Sequence, residues 1–190
     1  MIRLHMMARE TADRSIEAAI DRAAELGLDG VDIHLSGMRR DPEYLQALRW
    51  QCLRRGLAVG YAGSGTFVGP EEERESRIAQ GRRDVDTAVM LGAAMLRVFA
   101  REKWPDTEEE QKRLWQPMIA SFQQLCDCAA DRGLPVALQN HDESSFAMTA
   151  DQVLRILDEV ERPNFGFLMD TGQWKGAIGS HPRGETDPEI

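Results

Sequence analysis

The chain has 190 residues, of which 42% are hydrophobic and 29% charged, and a formal net charge of −9. That length and balance describe one soluble-type domain with a substantial core, and the acidity argues against phosphate backbones and anionic membranes as partners, because both repel it. No apolar run reaches the ~20 residues that a bilayer span requires, and no basic-then-apolar leader opens the chain.

The chain alternates short apolar runs with amphipathic stretches. The spacing predicts a first strand over Ile2–Met6 and a helix with Ile16, Ala19, Ile20 and Ala23 on one stripe. A second strand is expected over Val31–His34, and Asp41-Pro42 then gives a cap and a proline at the first helical position. A third strand, Ala58–Ala62, leads to a helix over about Pro70–Leu91 whose early glutamates suit a helix N-terminus. The fourth strand, Met95–Phe99, precedes a helix opened by the capping box Thr107-Glu108-Glu109-Glu110, with Met118, Phe122, Leu125 and Ala129 turned inward. Pro117 is expected to kink or break that helix. The fifth strand, Val136–Asn140, leads to a second capping box at Thr149-Ala150-Asp151-Gln152 and a helix burying Val153, Ile156, Leu157 and Val160. Gly166–Met169 is the sixth strand.

Four amphipathic stretches end at a glycine, namely Gly27, Gly56, Gly92 and Gly133, each followed at once by an apolar run. Glycine there supplies the left-handed cap. The separations of 29, 36 and 41 residues are each the size of one strand, one helix and two loops. Strict βα alternation with apolar strands implies a parallel sheet covered by helices. No glycine-rich phosphate loop follows the first strand, so the dinucleotide-binding form is disfavoured. The expected fold is α/β, an incomplete TIM-type (β/α) barrel with about six of the eight units of a complete one. It forms a single domain over residues 1–190. The tail Ser180–Ile190 has no apolar periodicity and suggests C-terminal truncation.

The cysteines Cys52, Cys126 and Cys128 are odd in number and fall in predicted helices, which suits a reduced cytoplasmic protein. In a (β/α) barrel the site forms at the C-terminal strand ends. The polar residues there are His34; Tyr61 and Ser64; Arg97 and Arg101; Gln139, Asn140 and His141; and Asp170, Gln173 and Trp174. Asp170 ends the apolar run Phe165–Met169 and is the foremost candidate, although Asp-Thr-Gly is also good turn chemistry. Gln139 and His141 share one face of their strand, and both can point into the mouth. A glutamine can orient a hydroxyl or offer oxygen to a metal, but it cannot act as a base. Arg97 lies inside a strand, where a cation needs a partner; that partner is either a carboxylate such as Asp32 or a substrate oxygen. His34 and Trp174 are further candidates to line the mouth.

The segments Gly27–Ile33, Ala137–His141 and Phe165–Gly172, in this order and spacing, resemble the sugar phosphate isomerase/epimerase family of xylose isomerase-like barrels. The resemblance implies a divalent metal (Mn, Mg, Co or Zn) held by strand-end side chains, usually Glu, Asp, His and Glu. Asp170 falls on the second of these. Gln139 falls on the first, where Glu is usual, and His141 is a neighbouring candidate ligand. His34, Arg97, Asn140, Gln173 and Trp174 are then candidate substrate contacts. The implied activity is isomerisation or epimerisation of a sugar or related polyol through an enediolate, with the chain as given incomplete and expected to be inactive alone. A homo-oligomer is possible. Two alternatives remain: a sugar-binding barrel without turnover, favoured by Gln139, and an apurinic endonuclease-like protein, disfavoured by charge and by Gln173 where a His is usual.

Overall fold

The computed structural model describes residues 2–102, 105–142 and 144–175. The predicted tail and His181 lie outside them. Six strands form one sheet in the order β1-β2-β3-β4-β5-β6, and every neighbouring pair is parallel. The strands are β1 (His5–Ala8), β2 (Gly30–His34), β3 (Ala58–Thr66), β4 (Met95–Phe99), β5 (Val136–Gln139) and β6 (Phe165–Leu168). Between them run α1 (Ile16–Glu25), α2 (Pro42–Arg54), α3 (Arg74–Leu91), α4 (Glu108–Ala130) and α5 (Ala150–Val160). Sequential parallel pairing with a helix in every crossover is the arrangement of a (β/α) barrel wall.

The local signals operate as expected. Ser15, Asp41, Thr107 and Thr149 each cap a helix, their side-chain oxygens accepting a backbone N–H. At Thr149 both arms of the capping box form. Gly27, Gly56, Gly92 and Gly133 all take positive φ, between 64° and 72°. The apolar stripes of the helices meet the sheet, and Ile16, Ile20, Met118, Phe122, Leu125 and Ile156 are fully buried. Burying a side chain of this size contributes about 2–3 kcal/mol each.

Several bounds differ from expectation: α3 starts at Arg74 rather than near Pro70, β6 runs Phe165–Leu168 rather than Gly166–Met169, and β1 runs His5–Ala8 rather than Ile2–Met6. Leu4 instead gives its N–H to the Asp29 carboxylate at 2.8 Å, so the ladder begins one residue later, at His5 opposite Gly30. β3 extends to Thr66. α4 is continuous through Pro117, where the Ser121 hydroxyl donates to the Pro117 carbonyl at 2.7 Å. That bond lies in the turn after the proline, whereas the carbonyl that the missing Pro117 N–H leaves without its helical donor is that of Arg113, one turn before it.

Candidate active site at the strand ends

The C-terminal rim of the sheet carries two polar clusters. The first is built on β5 and β6. Gln139 ends β5 and donates its amide N–H to the Asp170 carboxylate at 3.0 Å. The next residue, Asn140, is fully buried. Its side-chain oxygen accepts the Asp170 N–H at 2.8 Å, and its Nδ2 donates to the carbonyls of Asp170 and Gln173 at 2.8 and 2.9 Å. The carboxamide thus continues the β5–β6 ladder after the backbone pairing ends at Gln139 and Leu168, and it fixes where Asp170 leaves the sheet. The other Asp170 oxygen accepts the Gly172 N–H at 3.1 Å, so the turn chemistry expected of Asp-Thr-Gly forms at the candidate residue.

Gln173 sits in the same turn, and its Oε1 is buried without a hydrogen-bond partner among the described residues. Trp174 packs its ring against Phe167 at 5.8 Å. His141 places Nδ1 2.9 Å from the Asp142 carboxylate, and its ring stands edge-on to Phe99 at 5.8 Å.

The second cluster spans β2 to β4. Arg97 is fully buried. Among the described residues Arg97 makes no direct ion pair with Asp32, whose carboxylate accepts from His5 and from the Tyr61 N–H through one oxygen, both at 3.1 Å, and attracts Arg97 only from a longer distance. The β2–β3 register slips at that point, between Val31 and Ile33. Arg97 instead places Nη2 2.8 Å from His34 Nε2, with its guanidinium 4.0 Å from the centre of the Phe99 ring and 5.3 Å from that of Tyr61. Its Nε and Nη1 have no hydrogen-bond partner among the described residues. Burial, and then the Arg97 and Arg9 charges, push the His34 pKa down to about 4, so the imidazole is neutral at neutral pH. Burial also raises the Tyr61 phenol.

Alongside lies an open cavity of about 870 Å³, lined among others by His34, Arg40, Asp84, Arg97, Phe99 and Arg101. Asp84, on α3, is 2% exposed. Its carboxylate accepts from the Arg40 guanidinium and the Ser64 hydroxyl, and from the Gln80 amide at 2.8 Å. Sequence reading passed over this hub. A signal was present: Asp84 lies on the same helical stripe as Ile78, Gly81, Val85, Ala88 and Leu91, all buried, and a charge on an apolar stripe must be paired.

A metal fits the first cluster in part. Asp170 offers a carboxylate, Gln139 a carboxamide whose nitrogen faces it at 3.0 Å, and the orphaned Gln173 oxygen lies in the same turn. Such oxygens suit hard cations such as Mg²⁺ or Mn²⁺. Among the described residues no three His, Cys, Asp or Glu side chains gather as a metal cluster, and no helix is long and apolar enough to cross a membrane.

Residues 20–183 match the family model of the xylose isomerase-like TIM barrel. The chain belongs to that family. It is 28% identical over 168 residues to an L-ribulose 3-epimerase of Methylomonas sp. (strain DH-1), an alignment covering 80% of this chain and 56% of that protein. Among solved structures it resembles a D-psicose 3-epimerase (TM-score 0.76, 16% identity, 90% of this chain and 64% of that one). It also resembles a xylose isomerase domain protein from Planctomyces limnophilus (TM-score 0.69, 23% identity, 90% and 63%). The chain thus spans 56% of the length of the curated relative it matches.

Proposed function

We propose that the chain forms part of a sugar isomerase or epimerase that moves a proton next to a carbonyl. The observation that carries this reading is the Gln139–Asp170 pair, set by Asn140 at the strand ends where barrel enzymes hold their substrates. The family match and the epimerase relative support it. In such a reaction a base takes the proton from the carbon beside the carbonyl, and the electron pair moves onto the carbonyl oxygen, giving an enediolate. Return of a proton to the opposite face inverts that carbon. A divalent cation, when bound, would polarise the carbonyl and its neighbouring hydroxyl as a Lewis acid; Asp170 and Gln139 would hold it through their oxygens.

Gln139 can orient a hydroxyl or the cation but cannot accept the proton. That leaves Asp170 as the carboxylate of this cluster. His34, neutral and beside the cavity, is suited to hydrogen-bond a substrate oxygen. The same glutamine favours a second reading, a barrel that binds a sugar without turning it over. The proposed setting is a reduced, cytoplasmic one, consistent with three free cysteines; assembly into homo-oligomers is proposed on the family resemblance alone.

Calorimetry with Mn²⁺ and D-ribulose, beside an assay for 3-epimerisation, tests both readings. The proposal expects Mn²⁺ binding that Asp170→Ala weakens at least about tenfold, the loss of one charged ligand. Unchanged Mn²⁺ affinity in that variant removes Asp170 from the site. Tight ribulose binding without metal selects the binder.

A further inference from the structure

The register slip in β3 turns two consecutive residues the same way. Val59 stands opposite Val31 and Ala62 opposite Ile33, so Gly60 and Tyr61 together face the single residue Asp32. A side chain on Gly60 would meet the Asp32 carboxylate and the His5 ring, and the Tyr61 N–H goes to the same carboxylate at 3.1 Å. The glycine leaves room for the His5–Asp32 pair. The extra residue brings the Tyr61 ring to the side on which Arg97 and His34 lie, 5.3 Å from the guanidinium carbon and 6.5 Å from the centre of the imidazole. Without it, strand alternation would send position 61 to the same face as Val59, into the core. A bulge that re-aims a side chain is a recurrent device beside active sites.

Arg97 attracts the Tyr61 phenol and hydrogen-bonds it. A guanidinium only donates, so the phenol oxygen accepts there and its own hydrogen is left to donate elsewhere. A bond accepted from a cation strengthens the bond donated onward. Burial above all, with the charges of Asp32 and Asp170, raises the pKa of the phenol against the pull of Arg97, so it keeps that hydrogen at neutral pH. The influence of Asp170 also puts the phenol within electrostatic reach of the β5–β6 cluster, so Tyr61 stands between the two polar clusters of the rim. We infer that Tyr61 is a catalytic residue of the reaction proposed above, its hydroxyl donating a hydrogen bond to the substrate oxygen that becomes negative in the enediolate. The inference rests on the sugar-enzyme reading and adds a residue to its chemistry. In that step the base takes the proton, the C–H electrons form the C=C bond and the carbonyl pair moves onto oxygen. Tyr61 keeps its proton throughout and lends only the hydrogen bond. A donor already aimed at developing charge is among the largest contributions a site can make.

The chain has two tyrosines, Tyr44 and Tyr61, so ¹³Cζ-tyrosine labelling gives one reporter and one internal reference. Glycolohydroxamate, whose ionised C(–O⁻)=N form copies the planar enediolate, is titrated with Mg²⁺ beside neutral glycolamide. The Tyr61 signal is expected to move with the hydroxamate and not with the amide, while Tyr44 stays still. In calorimetry, Tyr61→Phe keeps the ring against Arg97 and removes only the hydroxyl. It is expected to weaken the hydroxamate at least about tenfold and the amide less than about twofold. The signals of the parent protein carry the test if the variant does not fold. D-Ribulose binding and 3-epimerisation are measured on the same protein. Hydroxamate binding that leaves Tyr61 unmoved, or a variant that keeps the hydroxamate in full or loses both ligands alike, overturns the assignment and leaves the sugar reading standing. Hydroxamate binding that depends on Tyr61, without affinity for ribulose, upholds the donor and removes the sugar reading. Absence of hydroxamate binding overturns the assignment, and ribulose binding then decides the sugar reading by itself.

Discussion

The two halves of the strand-end rim are built on opposite principles. At β2–β4 charged groups are held from behind: Asp84 reaches in from α3 to anchor Arg40 and Ser64, and the Arg97 guanidinium stands 4.0 Å from the centre of the Phe99 ring. At β5–β6 the framework is a neutral carboxamide, Asn140, and Asp170 is the charged group it positions. The contrast teaches that one side presents a fixed field while the other presents a fixed geometry. A field tolerates small displacements, because charge interactions fall off slowly; hydrogen-bonded geometry does not.

The largest expected break in that contrast is Asp84→Ala. It would strip three donors of their acceptor and leave Arg40 without a counter-charge beside a buried wall. We expect a loss of about 3 kcal/mol in urea unfolding, with the β5–β6 cluster unaffected in its chemical shifts. A loss below 1 kcal/mol would mean that the hub is solvated rather than structural.

Next in size is Asn140→Ala. Three hydrogen bonds disappear and the Asp170 N–H is orphaned, so about 2 kcal/mol of stability should go. Asn140→Asp should not rescue it, because a carboxylate can accept from the Asp170 N–H but cannot donate to the two carbonyls. Full rescue by Asp would show that the Nδ2 bonds contribute nothing.

The smallest effect is the pH response of His34. Its pKa is lowered in the folded chain to about 4 from an ordinary 6.5, so below pH 6.5 the unfolded chain binds a proton that the folded one refuses. Stability therefore falls as pH drops from about 6.5 to about 4, and the full contribution is present above 6.5. His34→Gln keeps an acceptor for Arg97 and lacks the titration. The variant should lose less stability over that interval than the parent, as read by unfolding at pH 7 and pH 5. Identical slopes would show that the imidazole titrates freely.

Much of this architecture was legible in the residues because its causes are local. Gly27, Gly56, Gly92 and Gly133 announced helix ends since few other residues adopt positive φ cheaply, and Thr149 and Gln152 announced a helix start since both capping partners lie within one turn. The N-terminal strand was misplaced because Ile2, Leu4 and Met6 alternate like a strand, whereas its start is decided by Asp29, 25 residues away from Leu4. Asp170 and Gln139 are candidates from their places at strand ends, and the structure joins the two side chains by a hydrogen bond of 3.0 Å. The Asp84 hub was not found, because its partners come from residues 40, 64 and 80 on separate segments, and only folding brings them together. The Arg97–His34 contact likewise joins residues 63 apart.

Gly63 adds a consequence of its own. A methyl group at that position would overlap the Arg97 Nη2, so the missing side chain on β3 is the room in which the guanidinium lies. The two positions form a lock in which neither change is free: a larger residue at 63 evicts the cation, and a smaller residue at 97 opens a void beneath the mouth. Because Gly63 and Arg97 face each other in register across β3 and β4, the small residue on one strand sets how deeply the large one on the next can lie.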